Sequence, residues 1–333
     1  MSRIARATAV SVVTAVSLTG CGAGHMVLGI HEAPKVNTSS PPLTDSRANS
    51  ILAKVFAVAS QAEGRTGGAA RAAQRTAYTG EGLRAVGARA KLASVQSAVV
   101  ESPVLGAPQP RLLAVSRGDG YPRFIVAQSV TSQGSPPILH LLTSPDALTP
   151  YRISTSVTML PGSTVQPFDA LNQGSPLATE GRGLAMAPTA LLDGYAAGMA
   201  FPGKAVSNPL FAEDSFSAQV RTRAAGVAKA VSSQATFSQI HKVVPGSVYA
   251  VQQASGDALA FGVLQRTDSF AVKPDQAVNT IADKEFVLLS GKKQVTKEAS
   301  RTTLEFVVFA LPRSKGTATL VAASEQLVAG SGS

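Results

Sequence analysis

The sequence is poor in the residues from which most enzyme sites are built. Its 333 residues include one cysteine, Cys21, no tryptophan and four histidines. One cysteine excludes a disulfide within the chain and any zinc site made of paired thiolates. Aromatic residues make up 5% and charged residues 15% of the chain, and no Lys/Arg-rich run is present. Nucleic-acid binding therefore has no sequence footprint and is not expected. No apolar run after the first twenty residues approaches the roughly 20 residues of a membrane span. HExxH, an EF-hand loop, a phosphate loop, G-x-S-x-G and the S-x-x-K set of penicillin-binding enzymes are all missing. Gly181-Arg182-Gly183 lacks the remaining glycine of a dinucleotide fingerprint. From these gaps we expect no catalytic residue, no metal and no cofactor, while an apolar fraction of 44% fits a folded chain.

What the chain does have begins at its first residues. Arg3 and Arg6 precede a short uncharged apolar stretch, Ala7 to Leu18, and then Leu18-Thr19-Gly20-Cys21. A positive start and a short apolar run ending in small residues have the form of a secretory signal. The four residues ending at Cys21 resemble the bacterial lipobox. That resemblance implies a diacylglyceryl group on the Cys21 sulfur and cleavage before Cys21. Residues 1–20 are then a lipoprotein signal peptide, and 21–42, with Pro34, Ser39, Ser40, Pro41 and Pro42, a flexible tether. Two acyl chains anchor stably where one binds marginally. The expected location is the extracytoplasmic face of the cell membrane. Removing 20 residues leaves 313 and lowers the formal charge from +10 to +8, because the leader holds two arginines and no acid. A basic body there is drawn to anionic lipid or wall polymers.

The remainder repeats its order of elements. Ile51, Leu52, Val55, Phe56 and Ala59 form one helical stripe, and Leu191, Leu192, Tyr195, Ala196 and Met199 repeat it 140 positions later. Thr44 can cap the first helix with Asp45 in its first turn, Pro188 suits the start of the second, and Asp214 or Ser215 can cap a third. Further helical pieces are predicted from Arg71 to Thr79 and from Glu81 to about Ala93. Residues 112–128 and 249–265 both read as hairpins about a Gly-Asp turn, Gly118-Asp119 and Gly256-Asp257. Phe124, Val126 and Gln128 correspond to Phe261, Val263 and Gln265. Tyr151, Ile153, Thr155, Val157 and Met159 alternate with polar residues, as in a strand with one dry face. Residues 285–290, 302–312 and 317–329 are predicted as strands that complete a second sheet.

Helices segregated on one face of an antiparallel sheet define an α+β class. The expectation is two tandem similar domains, 43–160 and 188–329, with linker 161–187 and tail 330–333. Each would have N-terminal helices on a curved sheet, resembling the NTF2-like or cystatin-like group. The chain also resembles a family of actinobacterial lipoproteins. The resemblance rests on the lipobox, "YTGEGLR" (78–84), "MLPG" (159–162), "LAMAP" (184–188) and the ending "FALPRSKGTATLVAASEQLVA" (309–329). It covers most of the mature chain and supplies no catalytic residues. Helices of the second half in that family often carry tryptophans, which this chain lacks.

Isolated candidates for chemistry remain. His25 and His31 fall in the tether; His140 in "ILHLL" reads as a strand residue with a satisfied ring nitrogen, and His241 after "FSQI" lies at another strand. Asp257 with Asp268, or Asp275 with Asp283, would be the carboxylate pairs of an acid–base site, and read otherwise as solvated loop acids. Lys292, Lys293, Lys297 and Arg301 read as a basic loop that could touch an anionic surface. Arg117-Gly118-Asp119 reads as hairpin turn chemistry. The expected function is non-catalytic binding or scaffolding at the cell envelope, with an envelope protein, wall polymer or anionic lipid as partner. The alternatives are a carrier of a small apolar ligand or lipid, and a cell-wall hydrolase built around His140 or His241.

Overall fold

The computed structural model describes residues 40–96, 110–118, 120–132, 134–203 and 210–333. These described residues form one compact unit. The fold is mixed α+β, with antiparallel sheets that do not close into barrels.

Three helices come first: α1 (Asp45–Ala62), α2 (Gly68–Ala77) and α3 (Gly80–Leu92). Thr44 caps α1 by accepting from the Arg47 amide at 3.3 Å. Ala48, Leu52, Phe56 and Ala59 then recur every three or four residues and are buried. Four strands follow: β1 (Arg111–Val115), β2 (Arg123–Ser129), β3 (Ile138–Ser144) and β4 (Arg152–Thr158). They pair in the order β1-β2-β3-β4 as an antiparallel meander.

The second half opens with α4 (Pro188–Gly198), with proline in its first turn, and α5 (Ser215–Val231), capped by Asp214. Next come β5 (Ala235–Val243), β6 (Tyr249–Gln252), β7 (Ala258–Val272), β8 (Val278–Asn279), α6 (Lys284–Ser290), β9 (Gln294–Val295), β10 (Glu298–Leu311) and β11 (Thr319–Gly332). Its main sheet runs β11-β10-β7-β5, with β6 also paired to β7.

These parts stack as four layers. Phe56, Leu52 and Val86 of the first helices pack on Val115, Ile125, Leu142 and Ile153, the outer face of the first sheet. The inner face of that sheet presents Phe124, Val126, Leu139, Leu141 and Val157. It meets Leu259, Phe261, Val263, Leu304, Phe306 and Val308 of the second sheet in a common core. On the far side of the second sheet, Leu191, Leu192, Tyr195 and Val220 of α4 and α5 cover Ala260, Leu264, Val307 and Phe309. Where the two sheets face each other, each is therefore buried on both faces, and the second and third layers share one core.

Residues 161–187, expected as a linker, fasten this core at its edge. The Ser175 amide donates to Val115 O at 2.8 Å and the Ala178 amide to Ala250 O at 2.8 Å, tying β1 and β6 to one segment. Arg117 holds the segment from the other side, with Nη2 2.9 Å from Asp169 Oδ2 and 2.8 Å from Gly174 O.

Two expectations are corrected. Residues 285–290 form a helix, α6, and not a strand. The Asp283 carboxylate accepts from the Phe286 amide at 2.9 Å, and Gly291, at φ 73°, ends the helix by donating to Val287 O at 2.8 Å. The two caps outweigh the β-branched and aromatic content of a short run. Residues 330–332, set apart as a tail, continue β11, and the Ser333 amide donates to Glu298 O at 2.9 Å.

The "YTGEGLR" stretch has a packing reason. A Cβ on Gly82 would lie 2.8 Å from Ser154 O and 2.9 Å from Ile153 O, so α3 sits directly on the β4 backbone. A Cβ on Gly87, in the same helix, meets nothing within 4 Å. The two Gly→Ala substitutions are thus expected to act in opposite directions in thermal or urea unfolding. Gly82→Ala should destabilise by about 1–3 kcal/mol through overpacking. Gly87→Ala should stabilise by up to about 1 kcal/mol through helix propensity. Equal effects at both positions would contradict this packing.

Candidate functional site: a charged groove on the second sheet

Three strands of the second sheet, β7, β10 and β11, are about twice as long as the longest of the first. β7 has 15 residues and β10 has 14, against 7 each for β2 and β3. Only part of each long strand is sandwiched. In β7 the buried run ends at Leu264, and the residues beyond it are partly exposed. On the α5 side of this overhang, alternation presents Arg266, Asp268 and Phe270. Register places His241 and Thr303 beside Arg266, Gln239 and Arg301 beside Asp268, and Phe237 beside Phe270. Glu305 of β10 pairs with Glu325 of β11.

A groove of about 390 Å³ lies over these rows. Val220, Ala224 and Val227 of α5, with Leu92, Phe237, Phe270 and Leu327, give it apolar walls. Arg223, Arg266, Arg301, Asp268, Glu285 and Glu325 give it charge.

The charged groups are bound to one another. Arg266 Nη1 donates to Glu305 Oε1 at 3.0 Å and to Glu325 Oε2 at 2.8 Å, and its Nη2 lies 3.3 Å from Thr303 Oγ1. Its Nε sits 3.3 Å from Asp268 Oδ1 without the alignment of a hydrogen bond. Arg223 forks onto the same Glu325. Arg301 Nη1 donates to Asp283 Oδ2 at 2.9 Å, and Gln96 Nε2 to Glu285 Oε1 at 2.8 Å. Burial pushes the Asp268 carboxyl above its ordinary range, against the pull of Arg266 and Arg301. Burial would do the same to Glu325, but the hydrogen bonds and charges of Arg223 and Arg266 hold it below.

His241 completes the network from beneath. Gln239 Nε2 donates to Met199 O at 3.1 Å, which fixes the amide orientation, and it lies 2.9 Å from His241 Nε2. A nitrogen facing an N–H donor must accept, so the proton is on Nδ1, which donates to Glu305 Oε2 at 2.8 Å. His241 therefore links Gln239 to Glu305 and holds the Glu305 carboxylate in place.

His140 lies elsewhere, fully buried beneath α1. Its ring nitrogens meet Ser129 Oγ at 2.7 Å and Ser156 Oγ at 2.9 Å, and the Phe56 ring stands edge-on at 4.8 Å. Burial lowers its pKa to about 3. Each histidine has a companion that hydrolysis would ask for, serine or carboxylate, but both rings are enclosed in separate parts of the interior.

The other sequence candidates disperse. Asp257 accepts from the Arg313 amide at 2.9 Å in its hairpin turn, Asp275 sits in an exposed turn, and Asp283 caps α6. Lys292, Lys293 and Lys297 point outward, whereas Arg301 turns into the groove. Arg182 of the discarded glycine motif pairs with Glu180 at the surface. Cys21, His25, His31 and Asp119 lie outside the described residues. Among the described residues, no group of three or more His, Cys, Asp or Glu is placed to hold a metal.

Sequence reasoning missed Arg266, Glu305 and Glu325. Glu305 carried the usable signal: one acid inside the apolar run "TTLEFVVFA" must be buried with a partner. A second missed network joins the helices to β11. Glu63, fully buried, accepts from the Tyr78 hydroxyl and from Arg89 Nη1 at 3.0 Å, and Arg89 Nε reaches Gln326 at 3.3 Å. A smaller cavity of about 180 Å³ beside it shares Glu325 and Gln326 with the groove. Compared with protein-family models, curated proteins and solved structures, the chain matches none.

Two outcomes are expected. Arg266→Ala strands Glu305 with one partner fewer, and chemical unfolding should show a loss of about 3–5 kcal/mol. The exposed Arg84→Ala should change stability by less than about 1 kcal/mol. The second concerns pH. His140 stays neutral in the fold down to about 3, while the unfolded chain takes up its proton near 6.5. Its stabilising contribution is complete above pH 6.5 and declines as pH falls toward 3, by roughly 5 kcal/mol in all. His140→Phe should flatten the stability–pH curve over that window; an unchanged slope would show that His140 is not its source.

Proposed function

We propose that the chain is a lipoprotein anchored through Cys21 at the outer face of the cell membrane. Its body is a non-catalytic binding module, and the groove over Arg266 is where it binds. The groove carries this reading. Its arginines and carboxylates restrain one another, and an apolar wall faces them across about 390 Å³. Such a surface recognises a ligand or partner segment that has both an apolar body and polar groups. Charges already locked in pairs are pre-organised for recognition, and binding to them costs little reordering. The apolar wall, with Phe237 and Phe270, also favours the carrier reading, with a small amphipathic ligand as cargo.

We also read the two halves as duplicated helix-on-sheet units. β6-β7-β10-β11 repeats the order β1-β2-β3-β4, and Phe124/Phe261 and Val126/Val263 occupy matching places in the shared core. Residues 235–243, as β5, are an addition to the second unit that forms part of the groove floor.

The test of the anchored reading is metabolic labelling with palmitate in a bacterial host, with and without Cys21→Ser. Label on the wild-type chain and none on the variant is expected. Label on both, or on neither, contradicts the anchor.

A further inference from the structure

The outward face of the first helical layer is strongly one-signed. Between residues 40 and 96 the chain has eight basic and three acidic residues, a surplus of five. Among the described residues from 110 onward, eighteen basic face fourteen acidic, a surplus of four over a far longer stretch. One of the three acids, Glu63, is buried and already neutralised by Arg89. A second, Glu81, pairs with Arg84.

The positions of the remaining cations are patterned. Arg47 and Lys54 are seven residues apart on α1, and Arg71 and Arg75 are four apart on α2, so each pair forms one stripe. Arg65 lies in the turn between these helices, and Lys91 ends α3. All six are exposed, and none has an ion pair among the described residues. Helices need an apolar stripe toward the sheet and any polar residue outside; solubility alone does not ask for cations of one sign. Arg71 and Arg75 even repel across one turn. The described chain enters this same layer, where Ser40 O accepts from the Gly118 amide at 2.9 Å, four residues before Thr44. Ser40 is nineteen positions after Cys21, a span of at most about 65 Å when extended.

We propose that the α1–α3 layer is a docking face for the anionic headgroups of the bilayer to which the chain is anchored. The inference rests on the anchored reading, and it adds an orientation. The basic helices lie against the lipid, and the groove, lined mainly by α5 and the second sheet with Leu92 at the end of α3 on its rim, lies outside the docking face. Each arginine or lysine near an anionic surface adds to the attraction, which fades within a Debye length of about 8 Å at physiological salt.

The experiment uses the full chain carrying Cys21→Ser, so that no acyl chain is attached, in flotation with vesicles. One set is phosphatidylcholine; the other contains a third phosphatidylglycerol. The leader is common to every variant, so differences between variants report the folded surface. The parent should prefer anionic vesicles by at least about tenfold, with the preference falling at high salt. Arg65→Glu, Arg71→Glu and Arg75→Glu together should remove most of it. Lys242→Glu, Lys292→Glu and Lys293→Glu, an equal charge change elsewhere, should leave most of it. Equal losses in both triple variants would overturn the proposal, because net charge and not this face would then be responsible. So would a parent that ignores phosphatidylglycerol but binds soluble polyphosphate through the same three arginines, which would make the face a wall-polymer site. Failure of the anchored reading is distinguishable, since it appears as missing palmitate on the wild-type chain whatever the vesicles show.

Discussion

The structure depends on two antiparallel sheets pressed face to face. Phe124, Leu139 and Leu141 on one side and Phe261, Leu304 and Phe306 on the other exclude water from both inner faces. Helices must then cover both outer faces, and the order of layers follows. The mismatch in strand length follows too. The first sheet covers about half of β7 and β10, so their ends project beyond the sandwich with one face under α5 and no sheet against the other. A projecting apolar strand would invite aggregation. The overhang instead carries Arg266, Asp268, Thr303 and Arg301 on the groove face, and Thr267, Ser269 and Thr302 on the opposite one.

Placing charge there has a cost that the network resolves. Glu305 is fully buried, and an isolated carboxylate at that depth would be severely destabilising. Arg266 and His241 each take one of its oxygens, and Gln239 fixes the histidine by occupying its other nitrogen. Breaking any link exposes the next, so the groups act as a unit. The same logic governs Glu63, Tyr78 and Arg89 at the junction of the helices with β11. Both networks converge on neighbouring residues of β11, Glu325 and Gln326, so that strand joins the sandwich to the groove.

Much of the secondary structure was legible because its signals are local. Thr44, Pro188 and Asp214 mark helix starts through backbone chemistry, and the Gly256-Asp257 turn places a hairpin without knowledge of the rest. The run 285–290 was misread because its composition favours a strand, while the deciding residues, Asp283 and Gly291, lie outside it. The shared core was harder to see. Alternation shows that a strand has a dry face, and it does not say whether a helix or another sheet dries it. The groove was least legible of all. Arg266, Glu305 and Glu325 come from three strands and meet only through register, so no spacing along the chain announces them. His140 and His241 were correctly placed on strands, but their partners Ser156 and Glu305 are 16 and 64 residues away.

If the sheet-on-sheet core is what holds the chain together, the halves have no independent stability. Hydrogen exchange followed by mass spectrometry on Leu141→Ala, a change in the first sheet alone, tests this most directly. The account expects β2–β3 and β7–β10 to lose protection together and to the same extent, in one cooperative transition. Protection lost in the first sheet while β7 and β10 keep theirs would show two separately stable domains and contradict the shared core.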